Sequence, residues 1–241
     1  METSHSEKLL GLIVNEEMSW KDHLYGEKWR EEDNAPGLIP QLSQRVGLLC
    51  QLVKRLSARG FNSVSNGIFY SKLMYGLQVY GNVWGYHTLD ENPRHFTAFT
   101  MQDCRRLQVL QNKVLKLQTG LPHDFPTKDL IQQTSELSIH QMIAYHTLLQ
   151  VHKTIITGRP IYLANHLKIK RPQEGTIFPH RQSFTIETEK CKLNTSRAGF
   201  IFRGAQVFNL LPLELRSLRN HKKFKIDVEK WVKLHISIKP P

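Results

Sequence analysis

The side chains that this sequence arranges to act on a partner are cations. Arg105, Arg106, Lys113 and Lys116 recur along one segment with an apolar stripe, and Lys222, Lys223 and Lys225 stand beside Phe224 and Trp231. Lysines and arginines so placed can track a phosphate backbone. The same clusters are also what a solvated basic helix face looks like. Patterns for catalysis are missing: the sequence has no Gly-x-Gly-x-x-Gly, no Gly-Lys-Ser/Thr phosphate loop, no His-Glu-x-x-His and no Gly-x-Ser-x-Gly. Two-metal phosphoryl transfer needs clustered carboxylates to hold magnesium, and no Asp-Asp pair occurs. His140, His146 and His152 are spaced by six, which does not align them as i, i+4 metal ligands; they read as surface or satisfied core residues. Cys50, Cys104 and Cys191 lie far apart without a Cys-x-x-Cys, so no zinc ribbon is expected.

The elements that must position these cations follow from composition and periodicity. The chain has 241 residues, 40% of them hydrophobic, enough for one large domain or two small ones. The formal net charge is +12, although residues 1–34 hold nine acids against four bases. The remainder is therefore more basic still, and a field of that sign attracts polyanions, nucleic acid being the commonest. The first apolar run, 9–14, is too short for a secretory leader, and no window approaches 18 apolar residues, so no membrane span is expected. With an odd cysteine count and no leader, the expected setting is intracellular, nuclear or cytoplasmic.

Residues 8–14, KLLGLIV, read as a short buried strand. Ser19 is a candidate cap for a short element at 19–23, and 26–37 reads as a loop. Residues 41–56 form an amphipathic helix, with Leu42, Val46, Leu49, Val53 and Leu56 stepping by four and three and Gly60 as its stop. The stretch 61–85 reads as a core helix capped by Asn62 and Ser63. It carries Leu73 and closes on Tyr80 and Trp84, aromatics that can seal a core with their polar tips wet. Residues 97–119 form a third helix on Leu107, Leu110, Val114 and Leu117, ended by Gly120 and Pro122. Helices are also expected at 127–134, 139–157, 196–211 and 224–234, the last capped by Asn220. Residues 159–195, with Pro160, Pro172, Gly175 and Pro179, read as linker-like, with a short strand at 184–186. From Lys170 to Pro241 there are 15 Lys/Arg and six Asp/Glu. The expected fold is mainly α: a helical bundle at 38–158, a short β element within 1–37, and a less regular basic C-terminal region at 196–241.

Several of these segments resemble LINE-type (non-LTR) retrotransposon reverse transcriptases. Lys8-Leu9-Leu10-Gly11-Leu12-Ile13-Val14, then Ser19-Trp20-Lys21 and His23, resemble the family's "K-x-LG … L-SW-x-x-H" segment. Tyr70-Ser71-Lys72-Leu73 through Tyr80-Gly81-Asn82-Val83-Trp84-Gly85 resembles "Y-x-x-L … YG-x-x-W-G". Leu107-Gln108 through Lys116, with Thr119-Gly120, is similar to "L-Q-x-x-Q-N-K-x-L-R … T-G". Arg203-Gly204-Ala205, Phe208-Asn209-Leu210-Leu211-Pro212, Leu215-Arg216 and Phe224-Lys225 resemble the C-terminal "WN-x-LP-x-x-L-R … F-K" tail, with Phe208 where the family usually has Trp. Order and spacing hold over nearly the whole chain.

The resemblance implies a primer-grip hairpin at the N-terminus, with Lys8 and Gly11 near nucleic acid, followed by a thumb-like bundle that holds an A-form duplex by backbone and shape. The family's Tyr-x-Asp-Asp motif and earlier palm aspartate, which hold its Mg2+, would lie before residue 1. No catalytic residue and no cofactor therefore maps to this chain. It is expected to bind RNA or an RNA–DNA duplex weakly and to catalyse nothing on its own. The alternatives are a co-opted module that binds a protein through exposed apolar surface, or a remnant without function.

Overall fold

The computed structural model describes residues 6–15, 20–26, 36–81, 99–170, 184–188 and 199–238. The chain is mainly helical with a short N-terminal β element, as its periodicity predicts. It divides into two compact units: the first holds 1–84, 97–140 and 238–241, and the second holds 85–96 and 141–237.

The first unit opens with a hairpin, not a single buried strand. Strands β1 (Ser6–Leu9) and β2 (Leu12–Asn15) pair antiparallel with Lys8 opposite Ile13. Leu10 and Gly11 make the two-residue turn, with φ of 48° and 83°. Such turns require left-handed backbone at both central positions. Gly11 meets this without strain, whereas Leu10 does not. The expected burial is also reversed at the tip, where Leu9 is 64% and Leu10 83% exposed. A β-run packed on both faces was expected, but a two-stranded ribbon has only one face to hide.

Helix α1 (Lys21–Tyr25) follows; Ser19, its expected cap, lies outside the described residues. Helix α2 spans Leu38–Leu52, shifted towards the N-terminus from the expected 41–56, and buries Leu38, Leu42, Val46 and Leu49. Val53 and Leu56 fall in the turns beyond it. Gly60 does not stop this helix; it lies inside α3 (Ala58–Ser65). The cap of α3 is Ser57, whose hydroxyl accepts from the Gly60 amide at 3.2 Å, so Asn62 and Ser63 are interior residues. The expected single helix over 61–85 is interrupted twice. A π-helical turn occupies Asn66–Tyr70, then α4 (Ser71–Met74) ends at Tyr75-Gly76 before α5 (Leu77–Tyr80). Gly76 has φ 69°, which no continuing helix permits.

Helix α6 (Met101–Thr119) is the longest in the first unit's bundle and packs on α2 and α3. Thr100 caps it in a reciprocal box: its hydroxyl accepts from the Asp103 amide and the Asp103 carboxylate accepts from the Thr100 amide at 2.8 Å. Leu107, Leu110 and Val114 are buried as expected, and Gly120 ends the helix at φ 70°. Helix α7 (Thr127–Thr134) buries Leu130 and Ile131 against Leu115, Leu121 and Phe125.

Helix α8 (Ile139–Thr157) begins in the first unit and runs into the second. Among its described residues, the region expected to be linker-like contains helix α9 (Ile161–His166) and, in place of the expected strand at 184–186, an isolated bridge between Ile169 and Ile186. Asn209, of the resemblance's C-terminal motif, holds that bridge: its side chain accepts from the Ile186 amide at 2.8 Å and donates to the Ile186 carbonyl at 3.0 Å. Asn209 closes α10 (Phe200–Asn209), shorter than the expected 196–211; Phe208 is fully buried there. After Pro212 come α11 (Leu213–Arg216), which periodicity did not predict, and α12 (His221–His235). Asn220 caps α12 as expected, accepting from the Lys222 and Lys223 amides.

Within the second unit α8 and α10 touch backbone to side chain at Gly204. A Cβ there would meet Val151 Cγ2 at 2.7 Å, closer than packed atoms tolerate. Gly204→Ala is therefore expected to cost about 1–3 kcal/mol by overpacking. Adding Val151→Ala should recover part of that loss. Urea unfolding of the two single variants and the double variant measures the coupling; additive losses would show that the contact is absent.

Candidate nucleic-acid interface

Helix α6 sorts its cations by helical period. Arg105, Val109 and Lys113 recur every four residues on its outer face, with Lys116 three further on. Arg105, Val109 and Lys113 are exposed, whereas Leu107, Leu110 and Val114 face the core. Arg106 is diverted: its guanidinium carbon lies 4.9 Å from the centre of the Tyr25 ring, a cation–π arrangement. The Tyr25 hydroxyl in turn donates to Asp103. Arg106, though exposed like Arg105 and Lys113, thus helps tie α1 to α6.

Opposite this face stands α2. Between them lies a groove of about 700 Å3, walled by Ser43, Val46, Gly47 and Cys50 on α2 and by Val109, Asn112, Lys113, Lys116 and Leu117 on α6. Leu121 and His123 close one end, and the Lys116 ammonium donates to the His123 carbonyl, which fixes that end. No acid occurs in α2, and the one acid of α6, Asp103, is buried in the capping box. Both walls are therefore free of exposed carboxylates, and the field in the groove is positive.

The amides of the same motif are structural. Gln108 donates to Gln111 at 2.9 Å and to Asn112 at 2.8 Å, and its oxygen accepts from the Ile139 amide at the start of α8. Gln111, fully buried, donates to the Leu137 carbonyl, and Asn112 donates to the Thr127 hydroxyl at the start of α7. This network sets the orientation of α6, and thereby of Arg105 and Lys113.

Beside Lys8, an expected contact, stand two cations that the sequence does not single out, Arg45 and Lys72. Burial lowers the Lys72 pKa, and the Arg45 and Lys8 charges lower it further. Lys8 on the hairpin, Arg45 on α2 and Lys72 on α4 therefore share one electropositive region. Arg45 is anchored by donating to the Ile68 carbonyl in the π-helical turn. The hairpin is held there too, since the Tyr75 hydroxyl donates to the Leu10 carbonyl. Gly11 contributes its backbone conformation: a Cβ would sit at an ordinary 3.5 Å from Tyr75.

Under this region Trp20, His23, Tyr80 and Phe99 form one aromatic cluster, with ring centres 5.0 Å apart for His23–Tyr80 and 6.1 Å for Tyr80–Phe99. Tyr80 is fully buried, and its hydroxyl is not wet but donates to the Leu73 carbonyl at 2.7 Å. Leu73 is buried beside it; Trp84 lies outside the described residues. His23 Nδ1 accepts from the Ile13 amide at 3.4 Å, and burial together with Lys72 pushes its pKa down to about 4.

The remaining predicted cations belong to the second unit, where Lys222, Lys223 and Lys225 are exposed on α12. Their expected aromatic neighbour Phe224 is not at the surface. It is fully buried and stacks at 3.6 Å on His152. His152 donates through Nε2 to the Leu218 carbonyl, so its Nδ1 accepts from His221 at 2.9 Å. His140 and His152 are thus core residues, and His146 is half-buried. Trp231 is half-buried with its ring stacked on His235. Among the described residues no three His, Cys, Asp or Glu side chains gather where a metal ion could bind, and no helix is long and apolar enough to cross a membrane. No family model matches the chain, and neither a curated protein nor a solved structure does.

Proposed function

We propose that the chain is the post-catalytic part of a LINE-type reverse transcriptase and that its first unit binds RNA or an RNA–DNA duplex by the backbone. The observation that carries this is the carboxylate-free face of α2 and α6, which presents Arg105 and Lys113. The Lys8–Arg45–Lys72 region supports it. So does the meeting of Trp20 and His23 from one motif with Tyr80 from another, because distant segments that pack together depend on one another. No residue is assigned to catalysis, and primer extension with magnesium and nucleotides is expected to yield no product from this chain.

Backbone binding predicts a steep salt dependence, log affinity falling linearly with log salt. Lys113→Glu and Arg105→Glu should each weaken hybrid binding by about tenfold and flatten the slope by about one. Fluorescence anisotropy over a salt series measures both; an affinity indifferent to salt would sink the proposal. A second reading, a co-opted protein-binding module, is favoured by the exposed Leu9 and Leu10 of the hairpin tip. A discrete oligomer on size exclusion, unchanged by added nucleic acid and abolished by Leu10→Asn, is the result that this reading expects.

A further inference from the structure

We infer that the groove between α2 and α6 takes an unpaired nucleotide, its base between the helices and its phosphate on Lys113. This rests on the nucleic-acid reading above and narrows it from a duplex backbone to a single strand at this groove. The argument starts from the walls. Val46, Val109, Leu117 and Leu121 make them largely apolar, and Val109 is 52% exposed at the mouth. A duplex keeps its base faces stacked inside and turns phosphates, sugars and base edges outward, so apolar walls gain little from it. They gain from a ligand that has a flat apolar body as well as negative charge, which is an unpaired nucleotide.

The polar groups agree with this division. Lys113 is exposed beside Val109 and supplies the cation. The Lys116 ammonium is committed to the His123 carbonyl, and the Asn112 amide to Gln108 and Thr127. These two residues therefore shape the groove; Lys116 keeps its positive charge there, and Lys113 is the more exposed of the two cations. The nearest acid in sequence is Asp124, exposed after the closing residue His123; it repels phosphate at that end and favours entry beside Lys113. A volume of about 700 Å3 lies within the range of sites for small organic ligands.

Cys50, exposed in the α2 wall, allows a direct test. Cys104 is 1% exposed and does not compete; Cys191→Ser removes the third thiol. In that variant the rate of maleimide alkylation at Cys50 is measured with saturating oligouridylate and with a blunt RNA–DNA hybrid of equal length, binding of each being followed by anisotropy. The oligouridylate is expected to slow alkylation about tenfold, and the hybrid by about twofold or less. Equal protection by both, or none from an oligouridylate that anisotropy shows to be bound, overturns the assignment while leaving nucleic-acid binding intact. Failure of both to bind removes the broader reading and this one together. Equal protection by polyglutamate would make the groove a site for acidic protein and also overturns it. Gly47→Leu, in the α2 wall where an added Cβ meets nothing within 4 Å, should fill the groove with an aliphatic side chain and weaken oligouridylate about tenfold without lowering the thermal midpoint; an unchanged affinity counts against the groove.

Discussion

Acidification from pH 7 to pH 4 is expected to destabilise the first unit by several kcal/mol, with the loss beginning before any carboxylate titrates. His23 and His140 are 5% and 1% exposed, and burial pushes each pKa down to about 4. The unfolded chain restores the ordinary value near 6.5, so below that pH it binds protons that the native state refuses. The stabilisation is therefore complete above pH 6.5 and lost as pH falls towards 4. Each histidine contributes about 3 kcal/mol across this window. His146, His152 and His221 in the second unit are shifted the same way by burial, with Lys225 beside His146, His221 beside His152, and Lys153 and Lys225 beside His221. Urea unfolding followed by circular dichroism at half-unit pH steps measures the slope. Between pH 6.5 and 5 it should approach about 1.4 kcal/mol per pH unit for each buried histidine. His23→Phe keeps a ring against Trp20 and Tyr80 and should reduce the slope by one proton. A stability that stays level or rises over this interval would show that these imidazoles are charged in the native state.

What the sequence makes legible is governed by the range of the signal. The stripes of α2 and α6 repeat over several turns, so Leu42, Val46, Leu107 and Val114 announce both helices and their buried faces. Gly120-Leu121-Pro122 marks an end and Asn220 a beginning, because each acts on backbone within three residues. The hairpin, implied only by the resemblance, is obscure to periodicity because Leu9-Leu10-Gly11 lacks the Asn-Gly or Asp-Gly of a two-residue turn and looks like a continuous apolar strand. The start of α3 is obscure because Ser57, Asn62 and Ser63 are all competent caps. Its choice of Ser57 brings Gly60 into the helix, against propensity. The interface divides in the same way. That α6 carries cations is plain from Arg105 to Lys116. That Arg106 lies over an aromatic ring depends on Tyr25, and that Lys8 and Arg45 face Lys72 depends on three segments meeting. No local pattern encodes such meetings; burial of the faces beneath them does.

Tyr80→Ala is expected to cost about 3–5 kcal/mol, the range for emptying a buried aromatic site. The ring is fully buried and touches partners from three separate segments: Trp20 and His23 on the first, Phe99 ahead of α6 on another, and the Leu73 carbonyl on a third. Those partners belong to segments far apart in sequence, His23 in α1 with Trp20 just before it, Leu73 in α4 and Phe99 just before α6, so none can move into the cavity without pulling on a packed helix. Tyr80→Phe isolates the hydroxyl. It leaves the buried Leu73 carbonyl without its donor and should cost about 1–2 kcal/mol. The larger variant also has a functional consequence. His23 accepts from the Ile13 amide, so the cluster holds the hairpin that carries Lys8 beside Lys72. In Tyr80→Ala, hydrogen exchange at Ile13 should accelerate, and hybrid affinity should fall by the share that Lys8 and Lys72 supply. The amide network of Gln108, Gln111 and Asn112 stands apart from Tyr80 in its bonds, so Cys50 alkylation in the groove should keep its wild-type rate. If exchange at Ile13 and alkylation at Cys50 rise together, the variant has loosened the whole unit and Tyr80 is not a specific support for the hairpin. A change at Ile13 alone identifies the aromatic cluster as the element that couples core packing to the position of Lys8.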